Sequence, residues 1–259
     1  MSTAIMKIHI ILLLGLALCL PLLAADKETP TQIEIIEAAI RKSLNKPKGE
    51  FTKAVLEKVR DLHLERSPVT DLGLKEVAKL KQLSGLYLTG AKITDTDLKE
   101  VAKLSQLSKL YLRDTKITDV GLKEVARLTQ LKELGLGNTQ TTDAGLADLA
   151  KLQQLWYLGL SGTQVTDAGL KELAKLPKLR VLKSFRTQIT DTGLKEMVKI
   201  QQLSWLGLGF TQITDKGLKE VAKCSKLKVF RCEGTKITIA GVVELQKALP
   251  KCKILHNFE

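Results

Sequence analysis

The sequence predicts an α/β solenoid, in which short strands stack into one parallel sheet and short helices line the opposite side. Three observations predict it. Leucines recur every 24 residues without a slip, at Leu83, Leu107, Leu131, Leu155, Leu179, Leu203 and Leu227. Each interval carries two periodicities in the same order, first one of two residues and then one of a helix. No interval is large enough to bury its own apolar side, so the units must stack.

The interval Leu107–Gln130 reads LSKLYLRDTKITDVGLKEVARLTQ. Leu110 and Leu112 alternate with polar neighbours, as in a half-buried strand. Leu122, Val125, Ala126 and Leu128 fall on one helical face. Thr118 and Asp119 stand where a helix needs an N-cap acceptor, and Arg127 in the last turn suits the helix dipole. The Asp column (Asp71, Asp95, Asp119, Asp143, Asp167, Asp191 and Asp215) is read as caps, each for its own helix, in preference to a calcium column. Val59 extends the series backward, giving eight units over residues 59–250 with no insertion.

The ends differ from the units. Residues 1–25 read as a secretory signal: Lys7 is followed by an apolar run from Ile8 to Ala25, broken only by His9, with cleavage expected after Ala25. Leu22 and Leu23 fit a cleavage site poorly, and an uncleaved N-terminal anchor is the alternative. The run is slightly short for a spanning helix, which needs ~20 apolar residues. Bulky Leu18 before Cys19 argues against a lipoprotein. Residues 26–58 read as a helical cap, with Ile33, Ile36, Ala39, Ile40 and Leu44 at helical spacing. In the last unit Ile239 replaces the Asp, and a longer helical pattern runs to Leu249. Residues 251–259 form a terminal cap, in which KCKIL is expected to add an edge strand.

The strand leucines together with the T-x-I-T-D-x-G-L-K-E element resemble the leucine-rich-repeat family over nearly the whole chain beyond the signal. The element is similar to the cysteine-containing class known from F-box substrate adaptors, and closer still to exported bacterial repeat proteins. The stretch IEAAIRKSLNKPKGEFTKAVLEKV resembles the N-terminal cap of internalins. The resemblance implies a horseshoe with the sheet on its concave face and the helices on its convex face. It also implies a hydrogen-bonded ladder at the ninth position of each unit. That position is Thr115, Thr139, Thr163, Thr187, Thr211 and Thr235 here; Ser67 stands in the first unit, and Ala91 weakens the second.

Composition bounds the function. The 259 residues are 44% hydrophobic and 27% charged, with a formal net charge of +13. Such a balance admits nucleic acid, an anionic glycan or a membrane surface as partner. The Lys-Glu column, as at Lys123-Glu124, cancels within each unit, so the excess comes from variable positions and no dense patch is expected. That argues against nucleic acid. Beyond the signal the only histidines are His63 and His256, at opposite ends of the array. No nucleophile–base constellation, phosphate-cradling loop or metal-ligand spacing stands out. We therefore expect no enzyme, no cofactor and no metal. Cys224, Cys232 and Cys252 leave two readings open, a disulfide between one pair or core residues of their columns.

The variable strand positions carry the candidate site. By the family resemblance they face the concave side. They include Tyr87, Tyr111, Arg113, Tyr157, Lys183, Phe185, Trp205 and Arg231. All three tyrosines and both tryptophans fall in strand segments of a chain with 4% aromatics, and rings with arginine are what binding hot spots favour. Glycines between them are expected to leave the backbone open to a partner. The alternative is that the rings shield the sheet and stack along neighbouring strands. The function this supports is a non-catalytic scaffold of the exported or envelope compartment that binds a protein ligand on its concave face. Glycan or polyanion binding is a second class, and a ubiquitin-ligase-type adaptor, by repeat class alone, a third. A membrane enters only through an uncleaved N-terminal segment.

Overall fold

A computed structural model describes residues 30–257; the segment read as a signal lies outside the described residues. Helix α1 (Gln32–Ser43) and the short α2 (Lys53–Leu56) precede the repeats. Strand and helix then alternate: β1 (Asp61–His63), α3 (Asp71–Val77), β2 (Gly85–Tyr87), α4 (Leu98–Val101), β3 (Lys109–Tyr111), α5 (Asp119–Val125), β4 (Glu133–Gly135), α6 (Asp143–Leu149), β5 (Tyr157–Gly159) and α7 (Asp167–Leu173). The order continues through β6 (Val181–Lys183), α8 (Asp191–Met197), β7 (Trp205–Gly207), α9 (Asp215–Val221), β8 (Val229–Arg231), α10 (Ile239–Ala248) and β9 (Lys253–Leu255). The strands form one sheet in sequence order, every pair parallel. The fold is thus the α/β leucine-rich-repeat solenoid that the period predicts, and the KCKIL tail does add the last strand.

The register advances by one unit per strand, so Leu86, Leu110, Leu134, Leu158, Leu182, Leu206 and Phe230 stand in single file. None of these side chains has any solvent exposure. The helix leucines, such as Leu122 and Leu146, close the file from the other side. Neighbouring strands lie ~4.8 Å apart, whereas packed helices prefer ~8–10 Å. That inequality bends such a stack so that the sheet takes the concave side.

The Asp column does something other than cap its own helix. Thr118, Thr142, Thr166, Thr190 and Thr214 are the N-caps, each accepting from the backbone N–H two residues on. The Asp reaches across to the next unit. Asp95 Oδ1 accepts from Thr118 N at 2.8 Å, and its Oδ2 accepts from Thr118 Oγ1 at 2.6 Å. The same pair of bonds joins Asp119 to Thr142 and so on to Asp215 and Thr238. A ladder of carboxylates therefore staples each unit from the second onward to its successor.

This staple explains the glycine two residues after each Asp. A Cβ on Gly145 would stand 2.4 Å from Asp119 Oδ1, and one on Gly121 2.4 Å from Asp95 Oδ1. The second unit is the exception. Asp97 occupies the glycine position there, and its carboxylate takes over the task within its own unit, accepting from Thr94 N and Thr94 Oγ1 at 2.7 and 2.9 Å. Asp71, displaced from the ladder, pairs with Lys75 at 3.2 Å on the surface. Helix α4 starts late as a result and has a single turn. At the N-terminal end Gln32 of α1 stands in for the missing preceding Asp: its Oε1 accepts from Thr70 N at 2.8 Å, while its Nε2 donates to Pro68 O.

The ninth-position threonines also differ from expectation. Each donates to the carbonyl three residues earlier in its own unit, as Thr115 does to Leu112 O at 2.5 Å and Thr139 to Leu136 O at 2.7 Å. They pin the turn after the strand, whereas the bond between units runs through Asp and Thr. Ser67 makes the same bond, to Leu64 O, and Ala91 has no side chain to make it. The three cysteines are free thiols, and Cys232 and Cys252 are buried core residues of their columns. Burial pushes the Cys224 thiol up to about 11 and that of Cys232 to about 12.

Candidate functional site

The outward residues of the strands form three files across the sheet. Strand pairing sets Tyr87 against Tyr111, then Gly135, Gly159, Lys183, Gly207 and Arg231 in one file. Glu133, Tyr157, Val181 and Trp205 occupy the file before it. Arg113 and Phe185 follow two residues after the middle file, on the same side of the chain.

Rings stack along this surface without a break at its N-terminal end. His63 and Tyr87 lie parallel with centroids 4.2 Å apart, and Tyr87 and Tyr111 follow at 5.2 Å. Tyr111 then tilts toward Tyr157 at 6.2 Å. It can do so because Gly135 lies between them: a Cβ there would meet the Tyr111 ring at 2.7 Å. Further along, Lys183 Nζ sits 5.2 Å from the Tyr157 centroid and 5.5 Å from that of Trp205. Phe185 contacts Trp205 at 6.1 Å, and the Arg231 guanidinium lies 5.1 Å from the Phe185 centroid. Cations over ring faces are attracted by the ring quadrupole, so Lys183 joins the two ring groups into one surface.

The glycines are therefore not open windows onto the backbone. Phe185 and Trp205 cover Gly207, with ring atoms 2.4 and 2.8 Å from where a Cβ would stand. Their role is to let rings from adjacent strands lie flat. The expectation that a partner reaches bare backbone is corrected accordingly, since what a partner meets is ring faces, each half-buried, with charged groups between them.

Acidic residues hold several of these rings. Tyr111 Oη donates to Glu133 Oε2 at 2.5 Å, and Tyr87 leans toward Asp61. Burial, aided by the Glu133 hydrogen bond, raises the Tyr111 phenol well above its ordinary value of 10; burial and Asp61 raise that of Tyr87 too. Glu133 and Asp61 thus act as anchors that keep the phenols protonated and oriented. Arg231 is likewise fixed, donating through Nε to Glu233 Oε1 at 2.8 Å. Arg113 pairs only with its neighbour Asp114, at 3.2 Å, and remains exposed.

Sequence reasoning missed His63, Arg186 and Phe210. His63 stands 24 residues before Tyr87 and stacks on it, and that spacing was the available signal. Arg186 and Phe210 repeat the cation–ring pairing at 4.9 Å, on the exposed turn beyond the strands. Phe210 is 54% exposed and has φ of 59°, in a column whose residues all have positive φ and which holds Asp114, Asn138 and three glycines elsewhere. A bulky side chain in the left-handed region costs free energy; here the ring lies between the Arg186 guanidinium and Gly234.

Among the described residues no group of three or more His, Cys, Asp or Glu is placed to hold a metal ion, and no helix is long and apolar enough to cross a membrane. His63, in β1, and His256, directly after β9, lie at opposite ends of the sheet.

The comparisons agree with this geometry. No curated protein matches the sequence. Among solved structures, internalin C2 of Listeria monocytogenes is similar, with 25% identity and a TM-score of 0.60 over 79% of this chain and 92% of that one. A leucine-rich-repeat protein of Leptospira interrogans shares the fold at 24% identity and a TM-score of 0.57; the match covers 77% of this chain and 55% of that one. A family profile described as a leucine-rich repeat region matches residues 55–240. With a nine-stranded parallel sheet backed by one helix per unit, and a profile spanning most of its length, the chain belongs to the leucine-rich-repeat family.

Proposed function

We propose that the chain is a non-catalytic scaffold, exported from its cell, that binds a protein on the strand face. The observation that carries this reading is the continuous run Tyr87–Tyr111–Tyr157–Lys183–Trp205–Phe185–Arg231. These side chains are held in place by neighbouring rings and by acidic anchors, yet each keeps one side toward solvent. Rigid aromatics with fixed cations supply contact area at little cost in conformational entropy, as interface hot spots do. Apart from the rim residues Arg113, Arg186 and Phe210, the surface is pre-formed.

The test is retention of a partner from cell-envelope extract, compared across Tyr111→Ala, Trp205→Ala and the helix-face control Lys123→Ala, each checked for fold by circular dichroism. Loss of the same partner with both aromatic variants and not with the control is the expected result. Normal binding by both aromatic variants, with loss in the control, would move the site to the helices. Export is tested separately. N-terminal sequencing of protein from its host should begin near Asp26, and a cytosolic chain beginning at Met1 would overturn that half of the reading.

A further inference from the structure

We propose that the edge of the sheet where the chain enters each strand is a second binding site, and that its ligand is an acidic polysaccharide. The residues immediately before the strands form a file of their own. Tyr157 N bonds Lys132 O, Val181 N bonds Trp156 O, Trp205 N bonds Arg180 O and Val229 N bonds Ser204 O, all at 3.0–3.2 Å. The order along the edge is therefore Lys132, Trp156, Arg180, Ser204, Lys228. Cations recur at every second unit, roughly 10 Å apart from the strand spacing.

A second file lies two residues earlier and is built from pairs. Lys178 Nζ donates to Gln154 Oε1 and Lys226 Nζ to Gln202 Oε1, at 2.5 and 2.9 Å, each pair joining adjacent units. A neutral amide fixes each ammonium without cancelling its charge. The helix-end cations are treated differently: Lys103, Arg127, Lys151 and Lys175 each sit 2.7–2.8 Å from a carboxylate. Segments 129–132, 153–156, 177–180, 201–204 and 225–228 contain no acidic residue at all. Among the described residues, none of Lys132, Lys178, Arg180, Lys226 and Lys228 has a carboxylate within 4.0 Å, and all five are exposed. The basic excess that looked dispersed in the sequence is gathered here by the 24-residue period.

The chemistry of the edge selects the ligand class. Trp156 lies half-buried in a depression of about 510 Å³ shared with Lys132, Gln154, Lys178, Arg180 and Ser204. One indole among cations, amides and a hydroxyl suits a pyranose face with acidic and hydroxyl substituents. Single-stranded nucleic acid is held by several stacking platforms in series; among the described residues Trp156 is the one ring lining this depression, and Tyr157 meets it edge-on at 6.0 Å from the strand face. A bilayer surface calls for an apolar face beside the cations, and this edge offers glutamines and serines.

Heparin, a sulfated polysaccharide, is the probe, with uncharged dextran, oligodeoxythymidine and phosphatidylserine vesicles beside it. Titration calorimetry should show heparin binding that weakens as salt is raised, and no binding to dextran. The double change Lys178→Glu with Arg180→Glu, both on exposed side chains, should weaken it at least tenfold. Trp156→Ala should weaken it about fivefold, of the order of one ring stacking contact. Lys171→Glu with Lys195→Glu on the helix side, and Tyr111→Ala on the strand face, should leave it unchanged. Absence of heparin binding at low salt, equal loss from the helix-side pair, or tighter binding of the oligonucleotide or the vesicles would each overturn the proposal.

Discussion

The Asp–Gly linkage between units makes a sharp stability prediction at Asp119 and Gly145. Asp119→Ala removes two bonds accepted by a carboxylate, from Thr142 N at 2.8 Å and Thr142 Oγ1 at 2.6 Å. Thr142 N has no other acceptor among its hydrogen bonds. Bonds to charged groups contribute ~1.5–3 kcal/mol each, and this pair is partly exposed, so about 2–3 kcal/mol together is expected. A plain helix cap would cost only ~1 kcal/mol. Gly145→Ala alone forces its Cβ to within 2.4 Å of Asp119 Oδ1 and 2.7 Å of Leu122 Cδ1. It should expel the carboxylate and cost about 2 kcal/mol, offset by the ~1 kcal/mol that alanine gains over glycine in a helix. Once Asp119 is Ala, only the flexible Leu122 methyl stands in the way, and Gly145→Ala should be neutral or stabilising. Urea unfolding of the wild type, both single variants and the double variant, followed by tryptophan fluorescence, measures the coupling. Additivity within ~0.5 kcal/mol would refute the linkage, and rescue of Asp119→Ala by calcium would revive a metal column.

Three further outcomes follow from side chains described above or from their columns. Ser184 stands in the column of Leu112, Leu136, Leu160 and Leu208, has no solvent exposure, and its hydroxyl has no hydrogen-bond partner; Ser184→Ala should raise stability by ~1 kcal/mol, and a loss in urea unfolding would show that the hydroxyl is satisfied. The raised phenol of Tyr111 means that its contribution to stability is complete below pH 10 and is lost as pH rises through its higher folded value. Its phenolate absorbance should therefore appear later than that of free tyrosine, and Glu133→Gln should bring it earlier without fully restoring it, because burial is the larger cause; an unchanged midpoint would remove Glu133 from the account. Finally, burial holds the Cys224 and Cys232 thiols up at about 11 and about 12, so iodoacetamide at pH 8 should label them only after unfolding, and rapid native labelling would contradict the buried packing.

The fold was legible because its signal is repeated. A single alternation such as Leu110–Leu112 is weak, but eight aligned copies leave one architecture. The candidate surface was legible in part for the same reason, since Tyr87 and Tyr111 are one period apart and had to become neighbours. What escaped were interactions whose partner lies in another unit at an offset other than 24. Asp119 looks like a local cap because Thr118 is adjacent in sequence, whereas its partner is Thr142, 23 residues on. Asp97 in place of the glycine was the one visible clue to that linkage. The acid-free edge escaped because charge was counted within units, where Lys and Glu cancel, while the stack sorts residues by position between units.

The carboxylate ladder also has a direction, and its two ends are finished differently. From the third unit to the seventh each offers an acceptor forward and a donor backward, so an unfinished array would present complementary ends to any other copy of itself. At the front the donor of Thr70 is already taken by Gln32. At the rear Ile239 holds the position where an acceptor would stand, and α10 covers that end with an exposed aliphatic residue, which cannot hydrogen-bond. A second copy docking head to tail would find neither half of the staple available. With Gln32 on the front donor and Ile239 in the place of the rear acceptor, the self-complementary interaction has no free half with which to run on from molecule to molecule into a filament.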